Sequence, residues 1–383
     1  MTEKLLGKKE VSTLELFYDL IFAYAISRMT EVLHLVINHT LPLINLAEYL
    51  MMMLVFWTIW TYQTVYANRF LKGDLSNSLF LIFDMFWVVI LSQSLNENFA
   101  STHFTFAGST SVLLLSIAFQ YYLQSRRADT PEHKKLALHF SVLLMIISLI
   151  GFVTILPVPT LYLLRFAVYT ASIIAVAFYP LFMKQTLTDF STQFDHLSER
   201  YSLFTLLLFG EAVIAIAQTI NIHHLKIESV LYFVIIALLF TLYMITYELG
   251  INRRARTAGL VMIHLHYFIF VGINLITALL ELFILHELNT TFFIVIFDIS
   301  AVLFIYSMLA LLSTYPKKNT HVTSKEFATI SLLNLVWIIL SLLLKSNPLM
   351  FLGGLTLILI ILAVYWWRVI LQSAHKIKHE TIG

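Results

Sequence analysis

Four charged side chains fall within one apolar stretch. From Leu14 to Ile37 the chain reads LELFYDLIFAYAISRMTEVLHLVI, which contains Glu15, Asp19, Arg28 and Glu31. A charge at the middle of a membrane-spanning helix costs ~2.5–3.5 kcal/mol on insertion scales, so four in one span need a reason. Glu15 and Asp19 are four residues apart and share a helix face. Carboxylates so placed can bind a proton or a small cation. Arg28 lies about half a turn round from Asp19, at ~100° per residue. Glu31 follows three residues later and can pair with Arg28. Polar groups on two opposed faces predict a helix enclosed by others rather than turned to lipid. On the functional reading Asp19 is the titrating or cation-binding group. On the bland reading Glu15 caps the helix, Asp19 bonds a neighbour and Arg28–Glu31 is a structural pair.

Other acids lie deep in apolar runs. Glu211 sits near the middle of SERYSLFTLLLFGEAVIAIAQT, beside Gly210, which would let another helix approach. Glu211 is read as an ion-path carboxylate or as a protonated acid bonded to a neighbour. Glu199 and Arg200 open the same run, as groups at the inner mouth or as a surface pair. Asp84 is expected to meet Arg69 or Arg28, either as a structural pair or on the ion path. Asn68 and Arg69 close the second apolar run. Arg165 is a candidate partner for Glu281 or Asp298. His264 and His266 are two apart, on different helix faces, which does not suit a metal; His264 is a relay or an interface residue. Trp57, Trp60, Trp366 and Trp367 read as interfacial and packing residues, and Gly353 and Gly354 as a close-packing pair.

These residues must be positioned by membrane helices. The 383 residues are 59% hydrophobic and 12% charged, with a mean hydropathy of +0.85. Soluble domains carry about 25% charged residues. Repeated apolar runs of about 20 residues, each long enough for a ~30 Å hydrocarbon core, exclude a soluble protein. Twelve spans are expected, at 14–37, 43–66, 78–96, 104–124, 136–156, 161–183, 202–221, 228–249, 259–284, 291–313, 327–345 and 349–372. The fold class is all-α polytopic, and no loop is long enough for a soluble domain. The first apolar run is too long and too acidic for a cleaved signal peptide. Of the 24 Lys and Arg, only Lys226 and Lys345 fall in loops on one side, and Arg28 and Arg165 lie within spans. The rest, including Lys4, Lys8, Lys9, Lys72, Lys134 and Lys317, alternate onto the other side. Both termini are therefore expected to be cytoplasmic. The longest connection, Lys184 to Tyr201, divides the chain into six-helix halves, 1–190 and 191–383. Asn68-Arg69 recurs as Asn252-Arg253, and Glu15-Leu-Phe17 in kind as Glu199-Arg-Tyr201, although Phe17-Tyr-Asp19 also aligns with Phe209-Gly-Glu211.

The absence of cysteine excludes disulfides, zinc thiolates and iron–sulfur clusters. No nucleotide-binding loop, nucleophile elbow or HExxH pair is present, so no enzymatic activity and no cofactor are expected. The expected partners are the lipid bilayer and a small cation or proton, with no nucleic acid. A homo-oligomer is left open.

ELFYDLIFAYAI at Glu15–Ile26, YANRF at Tyr66–Phe70, HLSERYSLFTLLLFGEAVIAI at His196–Ile216 and HLHYFIFVGINLITALLEL from His264 resemble the bacterial low-temperature-requirement protein A family. That resemblance implies a multipass inner-membrane protein linked by name to growth in the cold. Phe17-Tyr-Asp19-Leu-Ile-Phe22-Ala23-Tyr-Ala25-Ile26 is also similar, more distantly, to the FSD signature on the first helix of the potassium-channel family of lysosomes and bacteria. Phe209-Gly-Glu211-Ala-Val-Ile-Ala215-Ile-Ala217 is a looser second copy. Tyr18 replaces the Ser of that signature and Glu211 its Asp. This likeness implies six-helix units whose first helices line a pore. Together the readings give an ion channel or ion-coupled transporter using buried carboxylates. The rival is a non-transporting structural or lipid-handling membrane protein for cold adaptation.

Overall fold

The computed structural model describes residues 10–70, 75–95, 99–128, 130–156, 162–189, 192–318, 320 and 322–380. Lys4, Lys8, Lys9 and Lys72, which contribute to the charge bias, lie outside them. Among the described residues the chain is helical and holds no strand. In order come α1 (Thr13–Thr30), a 3-10 turn (Glu31–His34), α2 (Leu43–Phe70), α3 (Leu75–Ser92), α4 (Phe99–Arg127), α5 (Pro131–Thr154), α6 (Tyr162–Phe182) and the short α7 (Lys184–Asp189). Then follow α8 (Phe194–Thr219), α9 (Ile227–Met244) continued by a π turn (Ile245–Gly250), α10 (Leu260–Ile284), α11 (Thr290–Thr314), α12 (Ser324–Leu344) and α13 (Pro348–Glu380).

Ten of these helices are long and apolar enough to cross a membrane: α2 to α5 and α8 to α13. Ala167–Phe182 of α6 is a shorter apolar stretch. Helix α1 has 18 residues but carries Glu15, Asp19 and Arg28. The chain is thus a multipass, all-helical membrane protein.

The first span differs from its expectation in two ways. Its α-helix stops at Thr30, and Glu31–His34 tightens into a 3-10 turn. Arg28 and Glu31 therefore sit at the helix end, where their ion pair remains 36% and 45% exposed. The helix is also not enclosed on all sides. Leu16, Phe17, Leu20 and Tyr24 face outward, while Glu15, Tyr18, Asp19, Phe22 and Ala23 are buried. Glu15 and Asp19 share the buried face, while Arg28 and Glu31 stay partly exposed although Met29, Val32 and Leu33 beside them are buried.

The described residues form two compact units. One holds the described residues within 10–35, 43–204 and 256–260; the other holds those within 36–42, 205–255 and 261–380. In the first, α4 and α5 pack as an antiparallel pair, with α1 and α4 both against α3. Small residues make the α4–α5 seam close: the Ser148 hydroxyl donates to the Ser111 carbonyl at 2.7 Å, and a Cβ on Gly151 would lie 2.1 Å from Ser111 Oγ. Among the described residues Arg165 pairs with no acid. It donates to the carbonyls of Thr154 and Leu156, which are left over at the end of α5.

In the second unit α9 and α12 pack on α13, and α11 on α12. Asp298 of α11 accepts from Trp337 Nε1 and the Ser341 hydroxyl of α12, both at 2.8 Å. These two donors satisfy the carboxylate without a cation. Past the π turn, Asn252 N donates to the Tyr315 carbonyl at 2.8 Å and Lys317 N to the Gly250 carbonyl at 2.7 Å, tying the α9 and α11 ends together.

The glycines divide sharply. A Cβ on Gly272 of α10 would lie 3.0 Å from Phe304 Cβ and 3.1 Å from the Ser300 carbonyl oxygen of α11. Gly210 and Gly353, expected at close contacts, have nothing within 4 Å. Gly272→Ala should therefore destabilise the protein by about 1–3 kcal/mol, because backbone must shift. Gly353→Ala should be neutral or mildly stabilising through helix propensity. Thermal unfolding in detergent, run on both variants, checks the contrast.

Candidate functional site

The end of the first unit where α1, α2 and α8 meet holds a buried charged cluster. Ser12 starts α1 as a capping box: its hydroxyl accepts from Glu15 N at 3.3 Å, while Glu15 Oε2 accepts from Ser12 N at 3.0 Å and from the Ser12 hydroxyl at 2.9 Å. This fixes Glu15 in the first turn and leaves Oε1 facing the core. One turn on, Asp19 projects from the same face. The expected capping role of Glu15 is present, and the side chain does more than cap.

Arg200 of α8 lies between the two carboxylates. Its guanidinium forks onto Asp19, with Nε 3.3 Å from Oδ2 and Nη2 bonded to Oδ1. Nη1 lies 3.5 Å from Glu15 Oε1. Trp60 of α2 donates its indole N–H to Asp19 Oδ1 at 2.7 Å, and the guanidinium sits 5.5 Å from the Trp60 ring centroid. Glu15, Asp19 and Arg200 are each at most 1% exposed. A planar fork that bonds a carboxylate on one side and faces an indole is specific to arginine.

His196, one turn before Arg200, completes the cluster. Its Nε2 lies 3.4 Å from Glu15 Oε1, and its Nδ1 lies 3.1 Å from Asn68 Nδ2. An amide nitrogen only donates, so Nδ1 accepts and the neutral ring carries its proton on Nε2, towards Glu15. Asn68 in turn clamps the backbone of α8's approach: its Nδ2 donates to the Gln193 carbonyl at 2.9 Å, and its Oδ1 accepts from Gln193 N at 3.0 Å. Tyr201 and Thr61 share a hydroxyl hydrogen bond at 3.0 Å. Tyr201 and Phe204 pack on Trp60, with centroids 4.7 and 4.6 Å away.

The charge count decides what this arrangement can do. Two carboxylates share one guanidinium. These two acids have one guanidinium between them, with His196 beside Glu15, and buried charge in a low-dielectric helix bundle needs such compensation.

The structure brings Glu15, Asp19 and Asn68 together but separates other candidates. Arg200 is not at a surface mouth, because α8 begins at Phe194, inside the expected connection, and carries Arg200 on its buried face. Glu199, the next residue back, points elsewhere, half-buried and outside the cluster. Asp84 of α3 meets neither Arg69 nor Arg28. Its Oδ2 accepts from Gln120 Nε2 at 3.0 Å, and Gln120 Oε1 accepts from Gln63 Nε2 at 3.0 Å. Amides thus replace the expected cation. Arg69 makes no ion pair among the described residues; Tyr121 lies within its electrostatic reach. Glu211 and His264 belong to the second unit. Glu211 is half-buried in the apolar part of α8 and makes no ion pair or hydrogen bond among the described residues. His264 is buried, and it is His266 that sits wholly enclosed.

Sequence reasoning missed Arg200 as the counter-ion, and missed His196, Trp60, Gln63 and Gln120. The signal for the first two was present: Gln193, His196 and Arg200 recur at three and four residues, which is one helix face.

An all-helical chain with ten apolar helices and a buried charge cluster is a multipass membrane protein. The model of the bacterial low temperature requirement A protein (LtrA) family matches residues 10–370, nearly the whole chain, and the protein belongs to that family. No curated protein matches it by sequence.

Removing Arg200 would leave two enclosed carboxylates without a cation. Arg200→Ala should cost about 3–5 kcal/mol. Asp19→Asn added to it should restore part of that loss, giving a coupling well outside additivity. Unfolding midpoints of the two single variants and the double variant check this. Additive losses would show that the pair is not coupled.

Proposed function

We propose that the protein moves a small cation or proton across the bacterial inner membrane, as an ion channel or ion-coupled transporter. The observation that carries this reading is the enclosure of two carboxylates, Glu15 and Asp19, around the single guanidinium of Arg200, with His196 beside Glu15. A group that must be neutralised inside the membrane is a binding site for what neutralises it. In this reading Asp19 and Glu15 hold the ion, Arg200 sets the local field, and His196 flanks Glu15. Glu211 adds a carboxylate in the other unit, with Asp84 and Glu199 as further acids on the path. The same reading takes twelve spans in two six-helix halves, with α1 and α6 crossing and both termini cytoplasmic. The likeness of the α1 motif to a potassium-channel signature supports cations as the cargo.

A second reading, a non-transporting structural or lipid-handling protein, is favoured by one observation. Both Asp19 oxygens are bonded and the residue is wholly enclosed. A closed state of a transporter would show the same geometry, so the two readings separate in function. Purified protein in liposomes should show proton or alkali-cation flux by dye fluorescence. Asp19→Asn and Glu211→Gln should abolish that flux while remaining monodisperse and helical. No flux of any small cation or proton from the folded parent would remove the transport reading and leave the structural one.

A further inference from the structure

A second polar array lies in the other unit, on α10. This is the most enclosed of the candidate spans. His266, Phe270, Asn274, Thr277 and Glu281 recur along it at steps of three or four residues, so they share one face. Their exposures are 0%, 1%, 3%, 6% and 6%. From His266 to Glu281 is about 22 Å at 1.5 Å per residue, most of a ~30 Å hydrocarbon core. A helix enclosed by protein has no need of polar residues in a continuous row, and each one there requires a partner.

Helix α9 supplies partners at both ends of the row. Near one end the Tyr243 hydroxyl lies 3.1 Å from His266 Nε2, with Tyr247 stacked on Tyr243 at 6.2 Å. His266 Nδ1 lies 2.8 Å from the Met262 carbonyl, which only accepts, so Nδ1 carries the hydrogen. Neutral His266 therefore accepts at Nε2 from Tyr243. A proton arriving at Nε2 displaces the hydrogen that Tyr243 donates there. At the other end the Tyr232 hydroxyl donates to the Thr277 carbonyl at 2.7 Å, and Glu281 lies one turn further, within electrostatic reach of Tyr232. Between the ends, Asn274 Nδ2 is buried with no hydrogen-bond partner among the described residues. Leaving an amide donor unmade costs about 1–3 kcal/mol, which a water molecule removes.

We propose that the α9–α10 seam of the second unit lines a hydrated proton path, with His266 and Tyr243 at one end, Asn274 midway, Glu281 and Tyr232 at the other, and Phe270 as its closure. A proton passes from water to His266 Nε2 and on to water held at Asn274, with no bond made or broken except to hydrogen. The Phe270 ring stands edge-on to His266 with centroids 5.8 Å apart, and it is the one apolar side chain in the row. This inference rests on the transport reading and names the proton as a transported species.

The chain contains no cysteine, so single-cysteine variants report water access without background. In membranes, a small charged methanethiosulfonate should modify Asn274→Cys and Thr277→Cys. It should spare Ile276→Cys and Leu279→Cys, which are at least as buried but lie on other faces of α10. Phe270→Ala should speed modification of Asn274→Cys severalfold. In liposomes, His266→Gln should slow proton flux. The inference falls if neither polar position is modified, or if all four react alike. It also falls, with the transport reading intact, if His266→Gln conducts protons like the parent while Asp19→Asn abolishes flux. A folded parent without flux removes both.

Discussion

One guanidinium shared by two buried carboxylates constrains the first unit. Arg200 cannot leave Asp19 and Glu15 without exposing two charges to a medium that tolerates neither. Everything around it serves that geometry. The Ser12 cap holds Glu15, Trp60 supplies a donor and a π face, and Asn68 fixes the backbone from which His196 and Arg200 project. Helices α1, α2 and α8 are thereby tied by directional bonds, which matter in lipid because apolar contact alone gives little preference for one neighbour over another.

The two units treat buried acids differently. In the first, Asp19 has a cation and Asp84 has amides. In the second, Asp298 is satisfied by an indole and a hydroxyl. Only Asp19 among these three is bound to a group whose charge cannot be removed by titration, since arginine stays protonated.

Much of this was legible in order but not in pairing. Apolar run lengths gave the helices, and α2, α5, α10, α11 and α12 lie close to their expected bounds, because hydrophobic length is a local property of the chain. Helix α1 was misjudged because a residue count cannot tell a buried charge from one at a helix end; the turn at Glu31 makes that distinction. Helix α8 was started too late because its first turns are polar, and three of those polar residues, His196, Ser198 and Arg200, turned out to be buried.

The amino-acid sequence by itself determined that the chain is helical, lives in a membrane and carries more buried acids than a bilayer permits without compensation. It also marked Asp19 and Glu15 as one face, since spacing along a helix is fixed by its pitch. Which cation answers them was decided only by tertiary structure. Arg28 is nine residues from Asp19 and Arg200 is 181 away, yet Arg200 makes the pair. Partnership depends on which helices pack together, and no local pattern encodes that.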